Sequence, residues 1–191
     1  MLDYTAVEFL KPILHNPTMI YVLAYPEFEQ PDVDRIRIFR AKHEPHRAKL
    51  VPPHITLVFG VKSLHLPVIT ELAEAVSRQT HAFHITFDDH AIVFDHFEQK
   101  HKIFLLCGEG SCKVTALHNQ LYDGEHRAEL STSHPFQPHM TVATCDTRAQ
   151  IEQVNLSDAG ALPLRGTLRA IQVVQLSGGA LTTHKSFPFR R

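Results

Sequence analysis

Fifteen histidines in 191 residues give this chain many groups that gain or lose a proton near neutral pH. Four of them have a Ser or Thr two places later: His54/Thr56, His84/Thr86, His139/Thr141 and His184/Ser186. In a strand, residues i and i+2 project from one face, so each pair would set an imidazole that can move protons beside a hydroxyl that can hold an oxyanion. With 22 Ser and Thr in the chain, about two such matches arise by chance. Flanking residues separate the four. His54 and His139 both follow a proline, both have an apolar spacer (Ile55, Met140), and both lead into aliphatic pairs, Leu57-Val58 and Val142-Ala143. His84 lies in a run bounded by Phe83 and Phe87 and reads as part of a half-exposed structural strand. His184 lies in the polar stretch Thr182-Thr183-His184-Lys185 and reads as solvated.

The matched pairs need strands to present them, and the surrounding pattern supplies these. Met19 to Tyr25 is a short apolar run closed by Pro26, and His54 to Phe59 another, stopped by Gly60. Pro31 to Ala41 between them reads as a helix opened by proline, and Lys42 to Pro53 as a polar loop. Pro67 to Gln79, with Val68, Leu72 and Val76 four apart, is the clearest amphipathic helix. Phe83 to Phe87, Ala91 to Phe94 and Lys102 to Cys107 read as three strands of a meander, and Cys112 to Tyr122 as a helix. Pro138 to Thr144 is strand-like, Thr147 to Val154 a short helix with an N-cap threonine, and Leu168 to Leu176 a last strand before Gly178-Gly179. A proline-bearing stretch leading into Pro-His-x-Thr thus occurs twice in a β-α-β-α-β-β-β-α-β-α-β order, with no low-complexity linker.

Composition narrows the class. At 43% hydrophobic residues the chain can bury a core, and 19 basic against 20 acidic residues leave no bulk positive field for long nucleic acid. Recognition of RNA would have to be local. Cys107, Cys112 and Cys145 form no C-x-x-C pair and read as reduced thiols. Met1 to Asn16 lacks a basic start and carries Asp3 and Glu8, unlike a signal peptide, and no segment is long enough to span a bilayer. A cytoplasmic monomer is expected. His43-Glu44-Pro45-His46 and the other acid-flanked histidines match no zinc spacing, so no metal or cofactor is expected. The absence of His-x-His-x-His excludes a histidine-triad nucleotide hydrolase.

His54-Ile55-Thr56-Leu57 and His139-Met140-Thr141-Val142, each opening a strand and separated by helix, meander and helix, resemble the paired motifs of the 2H phosphoesterase superfamily. That superfamily includes 2′-5′ RNA ligase-like proteins and cyclic nucleotide phosphodiesterases. The resemblance covers roughly Met19 to Leu176. It implies an α+β, bilobal, pseudo-two-fold fold, with antiparallel sheets lining a central cleft and helices outside. Residues 19-191 would form this domain and residues 1-18 an N-terminal extension. It also implies a metal-independent phosphodiesterase acting on a 2′,3′-cyclic phosphate or 2′-5′ linkage of RNA ends or a small nucleotide. Two imidazoles would act as base and acid, and the Thr56 and Thr141 hydroxyls would bind non-bridging oxygens. The reverse reaction would be ligation, and the rival reading is a non-catalytic module that captures RNA ends. Candidate substrate contacts are Tyr25, Phe59 and Phe136 as stacking platforms and Arg40, Lys42 or Lys49 for phosphate.

Overall fold

The computed structural model describes residues 17–131 and 135–191. The expected N-terminal extension lies outside them except for Pro17 and Thr18. Among the described residues are nine strands and five α-helices: β1 (Met19–Ala24), β2 (Glu27–Phe28), α1 (Gln30–His43), α2 (Pro45–Leu50), β3 (Ile55–Lys62), α3 (Leu66–Gln79), β4 (Phe83–Asp95), β5 (Lys100–Cys107), α4 (Ser111–Leu121), β6 (His139–Cys145), α5 (Arg148–Glu152), β7 (Leu164–Leu168), β8 (Ala170–Ser177) and β9 (Ala180–Pro188). They form two antiparallel sheets, β3-β1-β8-β9 and β2-β7-β4-β5-β6. Each motif strand is therefore the edge of its sheet, paired on one side only, and the two edges neighbour each other.

The halves are built alike and exchange their helices. In each, a strand (β1 or β5) leads through a helix and a loop into Pro-His and the motif strand (β3 or β6). Helix α1, which follows β1, packs on β6 of the other sheet, and α4, which follows β5, packs on β3. Helix α3 covers β8 and β9, while α5 covers β5 and β6. One hydrophobic core runs through both halves, from Ile20, Val22 and Leu57 to Phe87, Leu105 and Met140. The α+β two-sheet architecture is the one expected.

Several boundaries differ from the sequence reading. The loop expected from Lys42 to Pro53 contains α2, because Pro45 sits at the start of a helix, where its missing N–H costs nothing. The runs Phe83 to Phe87 and Ala91 to Phe94 are one strand: Asp88 is taken up as the extra residue of a bulge rather than a turn. Gly60 does not end β3; it lies under the Tyr21 ring, where an added Cβ would come 2.7 Å from the hydroxyl. The last expected strand, Leu168 to Leu176, is split between two sheets, with Leu168 ending β7 and β8 beginning at Ala170. The polar tail is β9, joined to β8 through Gly178 and Gly179 at φ +57° and +79°, the left-handed backbone of a tight hairpin. It escapes pattern reading because its only deeply buried side chain is Phe187. Thr147 caps α5 as expected, in a capping box with Gln150.

Candidate functional site

Two bulges set the site. In β3, Leu57 is the extra residue between the pairs Val22↔Val58 and Leu23↔Thr56; in β6, Val142 is the extra residue between Ile103↔Ala143 and Phe104↔Thr141. The bulge follows the threonine in both motifs. It lets two successive aliphatic residues, Leu57-Val58 and Val142-Ala143, be buried together while His and Thr keep the opposite face.

The two histidines are held in the same way. His54 Nδ1 lies 2.8 Å from the Pro52 carbonyl and His139 Nδ1 lies 2.7 Å from the Gln137 carbonyl, each two residues back. A carbonyl only accepts, so Nδ1 carries the proton and donates, leaving the Nε2 lone pair free. Neither Nε2 and neither threonine hydroxyl, of Thr56 or Thr141, has a hydrogen-bond partner among the described residues. His139 lies flat on Phe104, with centroids 3.7 Å apart at 19°, and Tyr25 stands 6.2 Å from His54.

Burial and nearby cations favour the neutral form of both rings. Burial pushes His54 down to about 4, assisted by the charges of Arg40, Arg47 and His139. The strands that carry the two motifs, β3 and β6, pack side by side. His139 is lowered as well, by burial and by Lys102. These cations belong to one chain of ion pairs. Arg40, 2% exposed, bonds Glu44 through Nε and the Val51 carbonyl through Nη1. Arg47 lies 3.8 Å from Glu44 and 2.5 Å from Glu98; Lys102 lies 3.0 Å from Glu98 and 2.6 Å from Asp95.

A cavity of about 620 Å³ opens beside this chain. His54 and Thr56 form part of its wall, with Tyr21, Leu23, Arg47 and Lys100, and β6 contributes Thr144 to Asp146. His139 and Thr141 do not line it, so the volume extends from the His54 side.

The sequence-proposed contacts fall in different places. Phe59 is 42% exposed and meets Phe136 edge-on at 6.3 Å. Phe136 stacks on His118 at 3.8 Å. Arg40 is buried in its ion pair rather than open to the cleft, and only its Nη2 is left without a partner among the described residues. Lys42 lies 3.9 Å from Asp158, and Lys49 does not line the cavity. His84 bonds Thr167 at 3.1 Å, while Thr86 accepts the Glu109 N–H at 2.9 Å, so both have structural partners. His184 is the exposed extra residue of a bulge in β9. Sequence reading missed Arg47, Glu98, Lys102 and His118, which are scattered through an apparent loop, a hairpin and a helix face. Among the described residues no group of three or more His, Cys, Asp or Glu could hold a metal ion, and no helix is long and apolar enough to cross a membrane.

The 2′-5′ RNA ligase superfamily profile matches residues 25–180. No curated protein matches the chain. Among solved structures, Escherichia coli LigT complexed with 3′-AMP superposes with a TM-score of 0.59 at 17% identity, over 92% of this chain and 99% of that one. LigT complexed with ATP gives the same values. TT0787 of Thermus thermophilus has a TM-score of 0.58 at 19% identity, over 90% of this chain and 98% of its own. At that identity these likenesses speak for the fold, while the profile spans both His-x-Thr strands and the sheets between them. The chain belongs to the 2′-5′ RNA ligase superfamily.

Proposed function

We propose that the chain is a metal-independent phosphodiesterase, with residues 19–191 as its catalytic unit and His54, Thr56, His139 and Thr141 as its catalytic residues. Its substrate is a 2′,3′-cyclic phosphate or a 2′-5′ phosphodiester on an RNA end or small nucleotide. The observation that carries this reading is the matched pair of imidazoles, each with Nδ1 committed to a backbone carbonyl and Nε2 free, beside an unengaged threonine hydroxyl.

Hydrolysis then runs in one displacement. One neutral imidazole takes a proton from water as its oxygen attacks phosphorus. The bond from phosphorus to one ribose oxygen breaks, and the other imidazole, protonated once the anion is bound, gives that oxygen its proton. The two threonine hydroxyls donate to the non-bridging oxygens and hold the phosphoryl group in line. Run backwards, with a ribose hydroxyl replacing water, the same groups would join RNA ends. Tyr25, Phe59 and Phe136 serve as base contacts, and Arg40 acts through its charge on His54. The LigT structures with 3′-AMP and ATP support a nucleotide ligand, and three free cysteines suit the cytoplasm.

Cleavage of 2′,3′-cyclic nucleotides and of cyclic-phosphate-ended oligoribonucleotides in EDTA is the test. His54→Ala and His139→Ala should each lower kcat/KM by about 10²-fold or more, and His84→Ala should leave it unchanged. Equal activity in all three variants would refute the site. Binding without turnover in the unmodified chain would make it a module that captures RNA ends.

A further inference from the structure

The bulges of β3 leave backbone groups outside the sheet ladder, and a single helix takes up two of them. Helix α4 carries His118, and Tyr122 follows four residues on, at its C-terminal end and on the same face. His118, 2% exposed, donates its Nδ1–H to the carbonyl of Leu57 at 2.7 Å, and the Tyr122 hydroxyl accepts the Phe59 N–H at 3.0 Å. Leu57 is the extra residue directly after Thr56, and Phe59 belongs to the second bulge, where Phe59 and Gly60 oppose Tyr21. The His118 ring also lies flat on Phe136, with centroids 3.8 Å apart and planes within 2°. Phe136 stands three residues before His139. One buried imidazole is thus bonded one residue from Thr56 and stacked three residues from His139, and it sits on a helix from the half that carries His139. Burial lowers the pKa of His118 and so favours the neutral ring.

We propose that His118 is a positioning residue that fixes the first His-x-Thr motif relative to the second, an inference that rests on reading the site as a two-histidine phosphodiesterase. It does not act on substrate. Its hydrogen bond holds the Leu57 bulge and hence the direction of Thr56, and its stacking fixes the approach of the Phe136 to His139 segment. Two imidazoles that must face opposite sides of one phosphorus tolerate little error, and a misplacement of about 1 Å can cost about 10²-fold in rate.

Two variants separate its contacts. His118→Phe keeps a flat ring against Phe136 and loses the donor, whereas His118→Asn keeps a donor near the Nδ1 position and loses most of the ring. With 2′,3′-cyclic nucleotide in EDTA, His118→Phe should lower kcat by about 10²-fold while KM stays within about threefold, and His118→Asn should recover most of the loss. Rates are compared per folded protein, using circular dichroism and Tm. A residue that only fills space would lower Tm in both variants and leave kcat intact, which would overturn the proposal. If His118→Phe does not fold, His118→Gln, which stays polar but moves its donor away from the Nδ1 position that bonds Leu57, should show the same fall in kcat, and an unchanged kcat there would refute the proposal. A second readout needs no turnover: in long-range 1H–15N NMR the ring resonances of His54 should move in His118→Phe and return in His118→Asn, whereas those of His139 should move in His118→Asn, which loses the stacking. If the unmodified chain cleaves nothing, the phosphodiesterase reading fails, and these resonances still decide the positioning role. Unmoved resonances would sink it.

Discussion

The depressed pKa of His54 creates a proton requirement that binding must meet. Burial, with the charges of Arg40 and Arg47, holds the free imidazole near 4, so at pH 6 only about 1% of it is protonated. A phosphodiester brings one negative charge into the same space. At about 4 Å and an effective dielectric of about 20, that charge favours imidazolium by about 4 kcal/mol. This amounts to about three pK units, which returns the bound value to about 7. Binding at pH 6 should therefore take up close to one proton. The dinucleotide of two deoxythymidines is a suitable probe, since it carries one phosphodiester charge throughout, lacks a 2′-hydroxyl and has no base that titrates in this range. Calorimetry in two buffers of different ionisation heat gives the number of protons, and NMR of the His54 ring gives the free and bound titrations. Binding without proton uptake at pH 6, or a free His54 that titrates near 6.5, would refute the electrostatic account of the site.

Burial also ties the fold to pH. His54, His118, His126 and His139 all have pKa values lowered in the folded chain, with burial as the first cause. Below about pH 6.5 the unfolded chain binds protons that the native chain does not, so stability falls with pH until the folded values are reached. For His54 alone the loss between pH 7 and pH 5 is about 2 kcal/mol, measurable as a lower urea midpoint at constant slope; an unchanged midpoint would contradict the burial described. Lys102→Met should cost about 1 kcal/mol in the same assay, because Asp95 loses its cation while the partly exposed Glu98 keeps Arg47. It should also raise the His139 pKa by removing a nearby positive charge, and NMR of the ring would detect a value that stays put.

The site is legible where chemistry repeats locally. Proline, histidine, spacer, threonine and two aliphatic residues recur 85 positions apart, and that sextet contains even the bulge. A strand of strict period two would not bury both Leu57 and Val58, or both Val142 and Ala143. The doubled aliphatic, which serves in the sequence only to match flanks, is in the structure the mark of the extra residue. What cannot be read is whatever depends on a partner far along the chain. Arg47 meets Glu98 51 residues away, and His118 meets Leu57 61 residues away. Neither contact leaves a periodic trace, because each requires only one residue of the right type at one point of a helix. Strand β9 is hidden for a related reason: its backbone does the pairing, so its side chains are free to be polar.

The exchange of helices between the halves explains why so much of the site lies in such long-range contacts. An edge strand has one unpaired flank, and a bulge on it adds further unsatisfied backbone groups. Here β3 is covered by α4 and β6 by α1, each from the opposite half. The groups that satisfy and orient one motif therefore belong to the half that presents the other: His118 of α4 and Tyr122 at its end bond Leu57 and Phe59, and Lys102 on β5 pairs with Glu98, which in turn holds Arg47 beside His54. Neither half could set its own histidine correctly if the two moved independently. The proposed reaction, in which two imidazoles must face one phosphorus at once, would depend on these contacts between the halves.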